Sequence, residues 1–177
     1  MSPNLEVLRY PVGKFIMPTE FSPEQLDHWI ADIDHFASAV RHGVEGLSDH
    51  QIDIPYREGG WSIRQLVHHL ADSHMNAFMR TRWVLTEDMP TIKPYDQDAW
   101  SNLVDNKTAP MEWSLLILEG VHKRWASLLR RVEDWSLFYI HPEYHHRYRL
   151  DQMLALYHWH GNHHLGQITG LREHMGW

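Results

Sequence analysis

Four stretches of the chain place apolar residues three and four apart, the spacing that lines one face of an α-helix. The first carries Leu26, Trp29, Ile30, Ile33, Phe36, Ala37, Val40 and Val44, and Gly43 or Gly46 ends it. Its start is written as Ser22-Pro23-Glu24-Gln25, with Ser22 as cap, Pro23 at the first helical position and Gln25 closing a capping box. The second begins near Ser62 and runs through Ile63, Leu66, Val67, Leu70, His74, Ala77, Phe78, Val84 and Leu85 until Pro90 and Pro94 stop it. The third starts at Thr108 or Ala109 and shows Leu115, Leu118, His122, Trp125, Leu129 and Val132. The fourth spans about Asp151 to His174, with Met153, Tyr157, His160, His164, Ile168, Leu171 and Met175 in one stripe and Gly176 beyond it.

The segments between these helices predict less regular structure. Residues 1–20, with Pro3, Pro11, Gly13 and Pro18, read as an extended arm. Residues 47–60 read as a loop, 90–108 as a long connection, and 135–149 as irregular or weakly extended chain. A connection as long as 90–108 is often functional in a compact domain. The expected fold is all-α: one domain over residues 1–177, a four-helix bundle with up-down-like packing and an extended N-terminal arm. Such bundles build metal and cofactor sites from facing helices.

Composition narrows the function. The formal net charge is -7 with no basic stripe, which argues against nucleic acid and against an anionic membrane surface as partners. No apolar run approaches the roughly 20 residues of a membrane span. Met1 to Glu6 show neither a charged n-region nor an apolar h-region, and cysteine is absent, so a cytoplasmic location is expected. The absence of cysteine also removes disulfides and any thiolate nucleophile or ligand from the chain itself. The anomaly is 16 histidines and 9 tryptophans in 177 residues.

Four of those histidines, His158, His160, His163 and His164, fall within seven residues of the fourth helix. His160 and His164 are one turn apart, so both imidazoles can reach one point. Two neutral imidazoles inside an apolar stripe are costly unless something binds them, and a transition metal suits imidazole. The second helix offers His68, His69, Asp72 and His74. His74 lies within its apolar face and the pattern favours it as a third ligand. His69 lies about 120° from the stripe centre, on a flank with Ser73, Asn76 and Arg80. The plain reading of His74 and His122 is as core histidines, each with one hydrogen bond.

With these residues the chain resembles the DinB/YfiT-like family of small metal-binding four-helix proteins, and its YfiT branch in particular. The resemblance spans nearly the whole chain. It rests on Tyr10-Pro11-Val12-Gly13, Pro55-Tyr56-Arg57-Glu58-Gly59-Gly60-Trp61 and the run from Val67 to Asn76, then on Pro94-Tyr95-Asp96, Trp100, His122 and Arg124-Trp125. His141-Pro142-Glu143, the histidine run and Met175-Gly176-Trp177 complete it. The resemblance implies one divalent metal, zinc or nickel first, held by His69, His160 and His164, and so selects His69 over His74. It also implies a homodimer. Asn162 and Gln167 stand where close relatives carry further histidines.

Two reactions follow from an open three-histidine site. The first is metal-dependent hydrolysis of a small molecule, the activity for which the family is named. It needs a base, and no His-Glu-x-x-His is present, which leaves Asp72, Asp96 and Glu143 as carboxylate candidates. The second is transfer of a low-molecular-weight thiol, because a metal-bound thiol loses its proton at neutral pH. Related members use bacillithiol or mycothiol in this way. A third possibility is a metal-binding stress protein without turnover, which an open cleft lined by Trp61, Asn76, Tyr95 and Trp100 would oppose.

Overall fold

A computed structural model of the chain describes residues 5–143 and 146–177. Of the N-terminal arm, residues 1–4 lie outside the described part. The rest is not wholly extended, since α1 (Leu5–Arg9) precedes the open stretch that begins at Tyr10. Four long helices follow the four apolar stripes: α2 (Pro23–Val44), α4 (Ile63–Thr86), α7 (Met111–Leu129) and α8 (Leu150–Met175). The connections hold more structure than their sequence suggests. They contain α3 (Asp49–Ile52), α5 (Gln97–Ser101) and α6 (Val104–Thr108), and residues 135–149 fold into an antiparallel hairpin of β1 (Phe138–His141) and β2 (His146–Arg149). No helix among the described residues is long and apolar enough to cross a membrane.

Caps place the helix starts. The Ser62 hydroxyl accepts from the Gln65 amide while the Gln65 side chain accepts from the Ser62 amide, a full capping box for α4. At α2 only half of the expected box forms. Ser22 accepts from the Gln25 amide, and the Gln25 side chain does not return the bond in this exposed first turn. α7 starts later than expected, at Met111, because Pro110 fixes the residue before it and Thr108 ends α6.

Side-chain pairs fix the helix directions. Arg41 meets Glu112, and Asp34 meets Lys123 and Arg130, so α2 and α7 are antiparallel. His68 meets Ser114, His74 meets His122 and Trp125 donates to Thr81, so α4 and α7 run parallel. Arg80 meets Tyr157 and Thr81 meets Met153, making α4 and α8 antiparallel. Asp32 meets His158 and Gly43 faces Leu165, making α2 and α8 parallel. The order is therefore up-down-down-up, and the expected up-down packing is corrected. α4 and α2 each pack on both α7 and α8 and stand diagonally across the bundle. The parallel α4–α7 pair explains the long connection after α4, because the chain must travel back along a helix of about 36 Å before α7 can start. Amphipathic stripes specify which face is buried and carry no information on direction.

The core is divided. One apolar cluster holds Trp29, Ile33, Phe78, Trp125, Met153 and Tyr157; the other holds Phe36, Val40, Leu66, Leu70, Leu118 and Ile168. Along α4 the boundary falls at His74, along α7 at His122, and along α8 at His160 and His164. A layer of histidines from three helices thus crosses the bundle at one level. From α2, Phe36 stacks on His74 at 5.1 Å and on His122 at 5.2 Å between ring centroids. Gly161 makes room for that ring, because a Cβ there would lie 2.8 Å from Phe36 Cε2.

Glycine to alanine in an exposed helix interior stabilises by about 0.5–1 kcal/mol. Gly120→Ala and Gly170→Ala, where a Cβ meets nothing within 4 Å, should follow that rule. Gly161→Ala should do the opposite and cost about 1–3 kcal/mol, because a ring stacked on two imidazoles cannot retreat. Chemical denaturation of the three variants checks the contrast; equal effects would refute this account of the packing.

Candidate metal centre

His69 on α4 and His160 and His164 on α8 bring one ring nitrogen each within 4.8 Å of one another. The Nε2 atoms of His69 and His160 are 3.2 Å apart. Two nitrogens on one tetrahedral zinc stand about 3.3 Å apart, given bonds of roughly 2.0–2.1 Å. The stripe on α8 and the flank of α4 therefore meet at one point. The ring of His69 also lies edge-on to His164, with centroids 4.8 Å apart.

The groups behind these three rings decide where their protons sit. His122 Nδ1 lies 2.6 Å from the Ile33 carbonyl, which can only accept, so that nitrogen carries the proton and His122 Nε2 is bare. His74 Nδ1, 2.8 Å away, must then donate to it, which leaves His74 Nε2 bare. His160 Nδ1, at 3.2 Å, donates in turn, and His160 Nε2 is left with a lone pair facing His69. His164 is fixed independently. The Gln167 amide nitrogen donates to the Arg9 carbonyl, so its Oε1 accepts from His164 Nδ1 at 2.8 Å and His164 Nε2 is bare as well. Two inward-facing lone pairs and a third ring nitrogen thus converge with no donor among the protein groups behind them. A cation suits such a donor set, and the residues present fit one.

Burial keeps these rings neutral. His69 is pushed down to about 4, by burial first and by the neighbouring His163 second. His160 and His164 are held well below the ordinary 6.5 by burial first and by neighbouring imidazoles second. His122 falls to about 4 by burial, opposed by its bond to Ile33. A neutral imidazole is the form that ligates metal.

His74, which the pattern favours, is not among the three rings that converge. His74 and His122 are 0% exposed and lie one layer deeper than the convergence point, where each makes two hydrogen bonds and supports His160 from behind. Full burial in the apolar stripe placed His74 inside the bundle, while the flank position of His69 faces the crossing with α8. The other members of the histidine run point elsewhere. His158 reaches Asp32 at 2.8 Å on the outer side, and His163 stacks on Trp159 with centroids 4.7 Å apart.

Two cavities flank the trio. One, of about 360 Å³, is lined by Trp61, Tyr10, Arg57, His163, His164 and Gln167 among others. The other, of about 380 Å³, is lined by Arg80, Tyr95, His141, Glu143, Tyr157 and His160, with Asp96 and Ser73 beside them. The Trp61 ring covers His69 at 4.7 Å. Tyr95 lines the second cavity, and Trp100 packs behind it at 4.4 Å without lining either space. Asn76 lines neither cavity, because its amide turns back one helical turn to the Asp72 carbonyl. Of the carboxylate candidates, Asp96 and Glu143 reach the cavity beside His160, although Asp96 also caps α5 through the Ala99 amide. Asp72 faces Asn106 of α6 instead, and burial raises its carboxyl. Sequence reading missed Gln167 as a partner of His164, although its i+3 spacing was the available signal. It also placed Arg80 on the flank of α4 without giving it a role.

Comparison with known proteins agrees with this architecture. The DinB superfamily model matches residues 33–168. A protein of Geobacillus thermodenitrificans is 45% identical over 176 residues, covering 98% of this chain and 99% of its own. YfiT of Bacillus subtilis is 45% identical over 173 residues, covering 96% and 97%. Both carry the provisional name of metal-dependent hydrolase. The solved structure of YfiT from Bacillus subtilis, described as an unusual four-helix bundle topology, superposes with a TM-score of 0.94 at 44% identity, covering 97% of this chain and 99% of that one. Full-length identity at this level, the same fold and the family match lead to one conclusion: the chain belongs to the DinB superfamily.

Proposed function

We propose that the chain is a metal-dependent hydrolase of small molecules whose cation is held by His69, His160 and His164. The observation that carries this reading is the convergence of three ring nitrogens within 4.8 Å, with the lone pairs of His160 and His164 aimed inward by the bonds behind them. When bound there, zinc or nickel supplies polarisation of a carbonyl and a nucleophile drawn from water near neutral pH. The protein does the rest. Three neutral ligands leave the charge of a divalent cation undiminished. Trp61 covers His69 and keeps water from that side. Glu143, on the rim of the cavity beside His160, is free of the capping role that occupies Asp96, and it is the carboxylate best placed to take or return a proton. The names of the relatives support the same reading.

A second reading, transfer of a low-molecular-weight thiol, is favoured by the same neutral donor set. An undiminished positive charge attracts an anionic sulfur, and the chain has no cysteine to compete for it.

Protein reconstituted with zinc or nickel should hydrolyse members of a panel of esters and amides, and chelator-stripped protein should not. His160→Ala should weaken metal binding by at least about a hundredfold, beyond the 10–100-fold typical of losing a supporting partner, and abolish turnover. Turnover that appears only with added thiol would replace hydrolysis by the second reading. Metal bound without turnover in either assay would overturn both.

His122→Phe should keep the stacking on Phe36 and remove the acceptor for His74. His74 then loses its reason to hold the proton on Nδ1, and His160 loses the donor bond that keeps its Nε2 bare. Zinc affinity measured by competition with a chromogenic chelator should fall about 10–100-fold. Unchanged affinity would show that the relay does not set the tautomer of His160.

The metal-free protein should lose stability in mild acid. His69 and His122 titrate near 4 when folded and near 6.5 when unfolded. Above 6.5 both states are neutral and contribute nothing. As pH falls below 6.5 the unfolded chain takes up protons that the folded chain refuses, so stability declines until the folded values are reached. The thermal midpoint should drop by on the order of 5 °C or more between pH 7 and pH 5. Asp34, held at about 2 by hydrogen bonds from Lys123 and Arg130, acts only in a lower window, below about 3.8. A midpoint that does not move between pH 7 and 5 would contradict the neutral histidine layer.

A further inference from the structure

Two arginines of α4 are buried, and the structure treats them differently. Arg64, 7% exposed, forms a two-pronged pair with Asp53 at 2.7 and 3.1 Å. Arg80, 9% exposed, has no carboxylate within ion-pair distance among the described residues. Its Nη1 donates to the Tyr157 hydroxyl at 3.1 Å and its Nη2 to the Lys93 carbonyl at 2.9 Å; its Nε has no acceptor. Both partners are neutral. A buried guanidinium with neutral partners and a spare N–H costs several kcal/mol relative to water. Each of its two Nη nitrogens carries a second N–H beyond these bonds, and Arg80 lines a cavity from which a ligand can accept it.

The location says what the ligand is near. Arg80 is 11 residues beyond His69, which on a helix is nearly the same face about 16 Å along the axis. Its side chain meets Tyr157, which stands one turn before His160 on α8, with ring centroids 5.7 Å apart. Arg80 and His160 line one cavity of about 380 Å³. The positive charge is felt across it: burial raises the Tyr95 phenol to about 12 and Arg80 opposes that rise, while burial lowers the His141 imidazole and Arg80 lowers it further. Two carboxylates also line the cavity. Asp96 is committed to the α5 cap, and Glu143 is exposed in the turn after β1. Both face water, where charge is screened, whereas the Arg80 charge sits in the dry interior and dominates for a desolvated ligand. Acids at the rim also disfavour polyanions, so the space suits a small molecule with a single oxyanion.

We propose that Arg80 is the anion-recognition residue of this cavity, and that the cavity takes small molecules bearing a carboxylate or phosphate group. The proposal rests on the hydrolase reading for its meaning as substrate recognition: the oxyanion docks on Arg80, and the reacting group of the same molecule faces His160. It names the substrate class that the metal centre by itself leaves open. Planar guanidinium with unused N–H donors matches either oxyanion.

Inorganic phosphate and acetate serve as probes, titrated calorimetrically into metal-free protein, where no cation competes for the anion, and into the zinc-loaded form. Metal-free wild-type protein should bind at least one of the two saturably. Arg80→Gln should weaken that binding at least about tenfold, Arg80→Lys should fall between, and Arg82→Gln, an exposed position on the same helix, should match wild type. Preference between phosphate and acetate distinguishes the two ligand classes. Wild-type affinity in Arg80→Gln, or no saturable binding to metal-free wild type, overturns the proposal. Should Arg80→Gln fail to fold, Arg80→Lys decides: it keeps the charge and loses the fork, and undiminished binding of both probes by it overturns recognition by the fork. Failure of the hydrolase reading looks different, with anion binding intact in the metal-free protein and no metal-dependent turnover of anionic esters.

Discussion

A layer of neutral imidazoles crosses the middle of the bundle, and the rest of the structure is arranged to make that tolerable. Apolar surface cannot satisfy a ring nitrogen, and leaving one buried and unpaired costs about 1–3 kcal/mol. The chain answers with a line of donors and acceptors that begins at a backbone carbonyl, Ile33, passes through His122 and His74, and ends on His160. Every ring on this line but the last is satisfied at both nitrogens. The last delivers its lone pair to the point where His69 and His164 also arrive. The cost of the layer is thereby concentrated at one place, where a cation can relieve it.

Gly161 belongs to the same constraint. Phe36 must lie flat against two imidazoles to seal the layer from below, and α8 must give up a side chain for the ring to fit. Helix propensity favours alanine at that position by less than the clash would cost. Packing around the histidines therefore overrides local preference, as it does wherever a polar layer has to be closed on both faces.

How far the chain was legible depended on which physics set each feature. The four stripes are a local pattern, and α2, α4, α7 and α8 follow them within a few residues. Helix direction is a global property, decided by how Thr81 meets Trp125 and Met153, and no stripe encodes it. The short elements α5 and α6 hide in a segment where Leu103 and Val104 stay exposed and Trp100 is only half-buried, so periodicity had no stripe to report. At the site, the i, i+4 spacing of His160 and His164 could be read directly. The contribution of His69 could not, since a residue on the flank of a stripe becomes central only when the crossing of two helices is known. Asn76 looked like a pocket residue by its place in a motif, yet an Asn in a helix can satisfy itself on a carbonyl one turn back, and this one does.

The same geometry ties the centre to the integrity of the fold. α2 contributes the Ile33 carbonyl, α4 contributes His69 and His74, α7 contributes His122, and α8 contributes His160 and His164. The end of α1 contributes as well, because the Arg9 carbonyl is what orients Gln167 toward His164. α4 and α8 supply the three nitrogens, and the other elements hold their protons and orientations in place. An unfolded chain offers sixteen scattered imidazoles, most of which take protons below 6.5, while the folded one offers three neutral nitrogens at a common point. A cation that prefers the second arrangement stabilises the assembled bundle by its binding free energy. For a cation held at that point, its affinity and the instability built in by burying the histidine layer would be two sides of one term, since each grows with how completely the rings are held neutral and facing inward.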